Sequence, residues 1–184
     1  SEAYVYLGRA MYLVERIDEA VRCGEAAVRI DPFSSKGHMS LGRALQVSGN
    51  IKDAIYHFRE AIVLNGRLAE AYEGYAYARR IIEGDTFIDA LNAALALQGW
   101  NKKDRACLHY AAGKLESDLG RTDLAFAHWL KGARLRRKAF DYTTADSQSF
   151  FGDIRTIFDG PLLERRLRQP VEGPTPIFIV GMPR

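Results

Sequence analysis

An all-α, right-handed solenoid of about four helix pairs plus a capping helix, followed by the first β-strand of a truncated α/β domain, is the fold class this sequence predicts. Three observations predict it. Small residues recur at a nearly fixed interval: Ala20, Ala54, Ala90 and Ala125 are 34, 36 and 35 residues apart, and Gly49, Gly84 and Gly120 follow at 35 and 36. Within each interval apolar residues fall on one helical stripe, as Tyr4, Leu7 and Met11 do at i, i+3 and i+7. After them comes Pro176–Val180, a short apolar run bounded by turn residues, which is the pattern of a buried parallel strand.

The interval is close to the 34 residues of a tetratricopeptide repeat, whose signature runs W-x2-L-G-x2-Y, then A-x3-F, then P. Residues 1–34 supply Tyr4, Leu7, Gly8, Met11, Ala20 and Pro32. Residues 35–68 supply His38, Leu41, Gly42, Leu45, Ala54 and Phe58, with Gly66 near the proline place. Residues 69–103 keep Tyr72, Tyr75, Ala76 and Ala90 but carry Arg79 at the late aromatic place and an extra turn residue. Residues 104–139 keep Gly113, Ala125 and Trp129, while His109, Ala112 and Glu116 depart from the pattern. Helix pairs are predicted at 2–13 with 17–30, 36–48 with 51–64, 69–82 with 86–98, and 104–119 with 122–139. Gly8, Gly42, Ala76 and Gly113 let the second helix of each pair approach the first, opposite Ala20, Ala54, Ala90 and Ala125. Gly49, Gly84 and Gly120 take the turns, where a positive φ costs glycine nothing. Neither helix of a pair can bury its stripe alone, so stacking completes the core.

Residues 140–168 close the array. Asp141, Thr143, Thr144 and Asp146 are candidate N-caps, and Phe150, Phe151, Ile154, Ile157 and Phe158 form an apolar face able to cover the end of a solenoid. Asp159, Gly160 and Pro161 break that helix, and Leu162, Leu163 and Leu167 suggest a short one. Residues 169–175 form a proline- and glycine-bearing linker, and residues 176–184 the strand and the start of a phosphate-binding turn.

Composition narrows the function classes. The chain has 184 residues, 47% of them apolar and 27% charged, enough for a packed core. It has no apolar stretch of membrane-spanning length, no charged-then-apolar leader and no nucleic-acid-binding motif, so neither a membrane nor a nucleic acid is an expected partner. Net charge is +3 but unevenly placed: residues 1–99 hold 11 Lys+Arg against 13 Asp+Glu, and residues 100–184 hold 15 against 10. Lys131, Arg134, Arg136, Arg137 and Lys138 complement a helix C-terminus, and with Arg165, Arg166 and Arg168 they make the later part a neighbour for an anionic ligand. Cys23 and Cys107, far apart and without a CxxC partner, read as reduced apolar fillers and point to the cytoplasm. Of the four histidines, His57 and His128 occupy equivalent repeat places, as does Cys23; residues so dispersed predict no metal site. Glu83 with Asp85, and Asp118 with Asp123, are solvated turn residues rather than acid pairs.

First helices of a right-handed stack line a concave groove. Val5, Arg9, Tyr12, Met39, Arg43, Gln46, Glu73, Tyr77, Arg80, Tyr110 and Lys114 are expected to project into it, with Arg9, Arg43, Tyr77 and Lys114 in a column. Cations interleaved with tyrosines suit a peptide, a protein or an anionic glycan acceptor. Self-association is a further expected use.

Tetratricopeptide units, the stretch from Leu108 to Arg137, an aromatic helix and then Pro176–Arg184, in that order, resemble the bacterial sulfotransferases fused to such repeats. The catalytic domains of these are related to the tyrosylprotein sulfotransferases. The resemblance covers essentially the whole chain. In that family the strand enters a loop of the form GxPRSGT, which wraps the 5′-phosphate and sulfonate of 3′-phosphoadenosine 5′-phosphosulfate. Gly181, Met182, Pro183 and Arg184 match its first four places, so the resemblance implies that they bind this cofactor and that Arg184 is the catalytic cation. The Ser-Gly-Thr and a general base would lie downstream, and 1–184 alone would be inactive. The acceptor stays open among protein tyrosine, glycan, lipid and small hydroxyl compounds. The alternative is a stand-alone protein-interaction module without sulfotransferase activity; a repeat-bearing glycosyltransferase fits the terminal motif least.

Overall fold

The computed structural model describes residues 1–138, 143–158 and 160–162, and the chain divides into two units, Ser1–Phe140 and Asp141–Arg184. The first unit is a run of helices: α1 (Glu2–Leu13), α2 (Ile17–Ile30), α3 (Ser35–Ser48), α4 (Ile51–Leu64), α5 (Ala69–Ala78), α6 (Thr86–Ala96), α7 (Lys102–Asp118) and α8 (Thr122–Arg137). In the second unit α9 spans Thr144–Ile157. No strand occurs among the described residues. The linker 169–175 and the expected strand 176–184, with Gly181, Met182, Pro183 and Arg184, lie outside them.

The stacking follows the repeat logic. α1 packs on α2, α3 on α4 and α7 on α8, and successive pairs join through α2 on α3, α4 on α5 and α5 on α7. Small residues set the spacing. A β-carbon on Gly8 would stand 3.2 Å from the Cys23 β-carbon, and one on Gly42 would stand 3.0 Å from the Phe58 ring. Between pairs the fit is tighter: on Gly24 it would meet the Leu41 Cα at 2.9 Å. Leu41, Phe58, Tyr72, Ile81, Leu91 and Leu108 belong to one continuous buried cluster.

Local chemistry fixes the helix ends. Ser34 Oγ accepts the Gly37 amide at 3.1 Å, Asp85 Oδ1 that of Phe87 at 3.0 Å, and Asn101 Oδ1 that of Asp104 at 2.8 Å. Among the candidate caps of α9, Thr143 takes the place and closes a capping box with Asp146. Gly49, Gly84 and Gly120 adopt positive φ in the turns, as their spacing predicts, and Gly99 joins them. The first pair places Glu15 in that slot at φ 60°. A left-handed conformation costs an L-residue roughly 1–2 kcal/mol, and glycine gives back about 0.4–1 kcal/mol through a freer unfolded chain. Glu15→Gly is therefore expected to stabilise the fold by about 0.5–1 kcal/mol in chemical denaturation.

The third pair departs from expectation. α5 ends at Ala78, four residues before the predicted 82, and the backbones of α5 and α6 approach each other far less than those of the other pairs. Phe87 is the cause. Its ring stands 4.6 Å from that of Tyr75 and 6.1 Å from that of Tyr72, a wedge where the other pairs have alanine. α6 faces the core with Phe87, Leu91 and Ala94, so Ala90, expected opposite Ala76, is only partly buried. The freed chain after Ala78 turns inward: Ile81 is fully buried, and its amide donates to Asp118 Oδ2 of α7 at 2.9 Å.

Candidate functional site

α1, α3 and the start of α5 open a groove of about 300 Å³ along the first two repeats. Val5, Arg9 and Tyr12 of α1, Met39 and Arg43 of α3, and Glu70 of α5 line it, with Asp104 of α7 at one end. Helical periodicity places them there. Arg9 lies one turn beyond Val5, and Arg43 one turn beyond Met39, on the sides of α1 and α3 turned away from their partners α2 and α4.

The groove gathers part of the expected set, with two members of the column, Arg9 and Arg43, and leaves the rest outside. Arg9, Tyr12 and Arg43 line it; Tyr77, Arg80, Tyr110 and Lys114 do not. Tyr77 and Tyr110 belong to a second cluster on α5, α7 and α8, where the Arg136 guanidinium lies 4.9 Å from the Tyr110 ring and 3.8 Å from the Glu73 carboxylate. Burial, then the Glu73 charge, pushes the Tyr77 hydroxyl up; the neighbouring Trp129 indole N–H opposes this without meeting hydrogen-bond geometry, and that N–H is buried with no partner among the described residues. Burial, with Glu73 next, pushes the Cys107 thiol up to about 12, which makes it inert.

The expected cationic character is largely neutralised. Arg43 faces Glu70 at 3.6 Å, and Lys103 donates to the same carboxylate at 2.5 Å. Burial alone would raise the Glu70 carboxyl, but the Lys103 hydrogen bond and the charges of Arg43, Lys103 and Arg9 outweigh it and hold it below the usual range. Lys114 is claimed by Asp118 at 2.5 and 2.6 Å. Arg9 makes no ion pair among the described residues. The lining holds Arg9, Lys36, Arg43 and Arg67 against Glu2, Glu70 and Asp104. Sequence reasoning saw the cations of the first helices and missed the carboxylates that meet them, because Glu70 and Asp104 begin the helices of later repeats.

The histidines pair in a way the repeat alignment missed. His38 of α3 and His57 of α4 meet Nδ1 to Nδ1 at 2.9 Å, and His109 of α7 and His128 of α8 do so at 3.1 Å. His38 Nε2–H donates to the Pro32 carbonyl at 3.0 Å, which leaves its Nδ1 as acceptor and makes His57 Nδ1–H the donor. The common separation of 19 residues is the signal that links each pair within its repeat. Among the described residues no group of three or more His, Cys, Asp or Glu side chains could hold a metal ion. Each pair bolts a first helix to its second.

Burial, then His128, Lys131 and Arg105, lowers His109 from 6.5 to about 4, and burial and Lys131 lower His128. A depressed histidine makes the folded chain take up its proton later than the unfolded chain. Its support for the fold is whole above pH 6.5 and is lost as pH falls towards about 4. The melting temperature is expected to be flat near neutrality and to fall through that window. In His109→Leu/His128→Leu part of the slope should vanish, leaving the contributions of His57, which burial also lowers, and of the carboxylates.

No protein-family model and no curated protein matches the chain. Among solved structures it is similar to the crystal structure of MamA protein, at 26% identity and a TM-score of 0.54 over 74% of this chain and 73% of that one. It is also similar to TTC0263, a thermophilic TPR protein in Thermus thermophilus, at 22% identity and a TM-score of 0.56 over 83% and 79%. These likenesses, with the stacked helix pairs, make the first unit a helical-repeat scaffold of the tetratricopeptide (TPR) type. No helix among the described residues is long and apolar enough to cross a membrane.

Proposed function

We propose that this chain is the repeat scaffold of a sulfotransferase that uses 3′-phosphoadenosine 5′-phosphosulfate, and that its groove presents an acceptor or partner segment to the catalytic domain. The observation that carries the reading is the order of the sequence: stacked helix pairs, then Pro176–Arg184 in the pattern of a phosphosulfate loop. Glycine lets backbone amides approach phosphate oxygens, and the Arg184 fork would pair with an oxyanion. The balanced charge of the groove, beside Val5, Tyr12 and Met39, suits an extended segment of mixed charge and apolar side chains better than a purely acidic one.

The test uses the full-length protein that contains this chain, titrated with adenosine 3′,5′-bisphosphate, the desulfated form of the cofactor. Binding is expected, and Arg184→Ala should weaken it about 10–100-fold, the loss of one or two charge-assisted hydrogen bonds. An unbound nucleotide, or an Arg184→Ala protein with undiminished affinity, overturns the assignment. The second reading, a stand-alone protein-interaction module, is favoured by the groove, which the described repeats form by themselves.

A further inference from the structure

The charges that line the groove are spent unevenly. Lys36 of α3 lies 3.9 Å from Glu2, and the Arg43 guanidinium lies 3.6 Å from Glu70, a carboxylate that also takes the Lys103 ammonium. Arg67, in the turn before α5, donates to the Gln98 carbonyl at 2.9 Å and lies 5.5 Å from the Trp100 ring. Two lining charges make no ion pair among the described residues. Arg9 of α1 is one; the other is Asp104 of α7, whose carboxylate accepts from a neutral amide, Asn101 Nδ2, at 2.6 Å. They sit on different helices of the array, with α3 packed against α1, α5 against α3 and α7 against α5. Between them the lining is apolar: Val5, one turn from Arg9, is buried, and Met39 and Leu68 are half-buried. Charges beside such a low-dielectric floor attract a counter-charge more strongly than charges in open water.

We propose that the segment this groove takes is a peptide of opposed charges lying in one direction, with an acidic side chain on Arg9, a basic side chain on Asp104 and apolar side chains between them. The inference rests on the reading of the groove as a docking site and adds its selectivity. Arg9 offers a planar fork that a carboxylate meets with two hydrogen bonds. Asp104 accepts from an ammonium or a guanidinium in the same way. With α3 and α5 intervening, a guest must be several extended residues long to touch both. Opposite charges at the two ends also reject the wrong guests: a reversed segment sets like charges together at each end, and a polyanion such as a sulfated glycan brings negative charge onto Asp104 and Glu70. Salt weakens the contact by screening both ends.

Selection of a randomised peptide library on the 184-residue chain at low ionic strength, followed by fluorescence-anisotropy titration of the enriched peptides, tests it. Enriched peptides should share one acidic and one basic residue at a fixed separation and in a fixed order. Exchanging those two charges within a peptide should weaken binding about 10-fold or more, the product of two partly exposed charge contacts. Asp104→Asn, which keeps a side-chain acceptor beside Asn101, should weaken binding about 3–10-fold and abolish the preference for the basic residue alone. Arg9→Glu should lose the original peptides and accept those in which lysine replaces the acid. Melting curves matching the wild type show that the fold is intact; where that of Arg9→Glu does not match, Arg9→Gln replaces it and should lose the acidic preference without reversing it. Peptides that bind with no preference for charge or order overturn the proposal and leave the groove a docking site. A sulfated oligosaccharide that binds as tightly as the peptides, and is lost in Arg9→Glu, overturns it as well. A library from which no peptide is enriched overturns both the proposal and the docking reading, while the nucleotide titration tests the cofactor separately.

Discussion

Replacing Phe58 by alanine is expected to cost the fold about 3–5 kcal/mol, the range for deleting a buried phenyl ring. Phe58 on α4 is fully buried and stands between two glycines of neighbouring helices. β-carbons on Gly42 of α3 and Gly74 of α5 would lie 3.0 and 2.4 Å from its ring, so both helices are shaped around it. Three helices would border the resulting cavity. They cannot close on it freely, because contacts such as Gly24 against Leu41 already set the repeat spacing. The geometry also implies coupling. Gly74→Ala alone should destabilise, since the ring has nowhere to move, yet in the Phe58→Ala background the added methyl enters empty space. The cycle should show a favourable interaction of about 0.5–3 kcal/mol by urea denaturation. An unchanged Phe58→Ala midpoint would contradict the shared-ring account.

Asp118→Ala is expected to cost about 2–4 kcal/mol. One carboxylate at the end of α7 takes the Ile81 amide at 2.9 Å and the Lys114 ammonium at 2.5 and 2.6 Å. Its removal leaves that amide without an acceptor beside a fully buried side chain, and releases the segment that holds Ile81 in the core. Burial raises the Asp118 carboxyl, but the Lys114 hydrogen bond, the Ile81 amide and the charges of Lys114 and Arg80 outweigh it and hold it below its ordinary 3.8. The folded state therefore keeps Asp118 ionised to lower pH than the unfolded chain does. Its contribution is whole above pH 3.8 and is lost on further acidification. Asp118→Asn, which keeps an acceptor for Ile81 and loses the ion pair, should fall between wild type and alanine. Equal costs for both variants would show that the amide contact carries nothing.

Where local pattern and tertiary demand agree, the sequence alone was legible. α1, α2 and α4 begin and end at the predicted residues, and the turn glycines take the positive φ that their recurrence implies. Period, stripe and turn chemistry all favour the same helices there. Legibility fails at Ala78. The residues that follow have enough helical pattern to extend α5, yet Phe87 holds α6 off and Asp118, 37 residues later, offers the Ile81 amide a better partner. Nothing local could announce that competition. The candidate site shows the same division. Arg9, Tyr12 and Arg43 share a groove, but a sequence gives no distance from a cation to its counter-ion.

The amino-acid order by itself determined the repeat length, the helix boundaries of the regular pairs and the small-residue contacts of the first two units. These depend on spacings of a few residues or on one recurring period. Tertiary structure alone decided the splayed third pair, the inward turn at Ile81, the two histidine bolts and the charge balance of the groove. Each depends on groups brought together from different helices, whose separations packing sets and no local rule encodes.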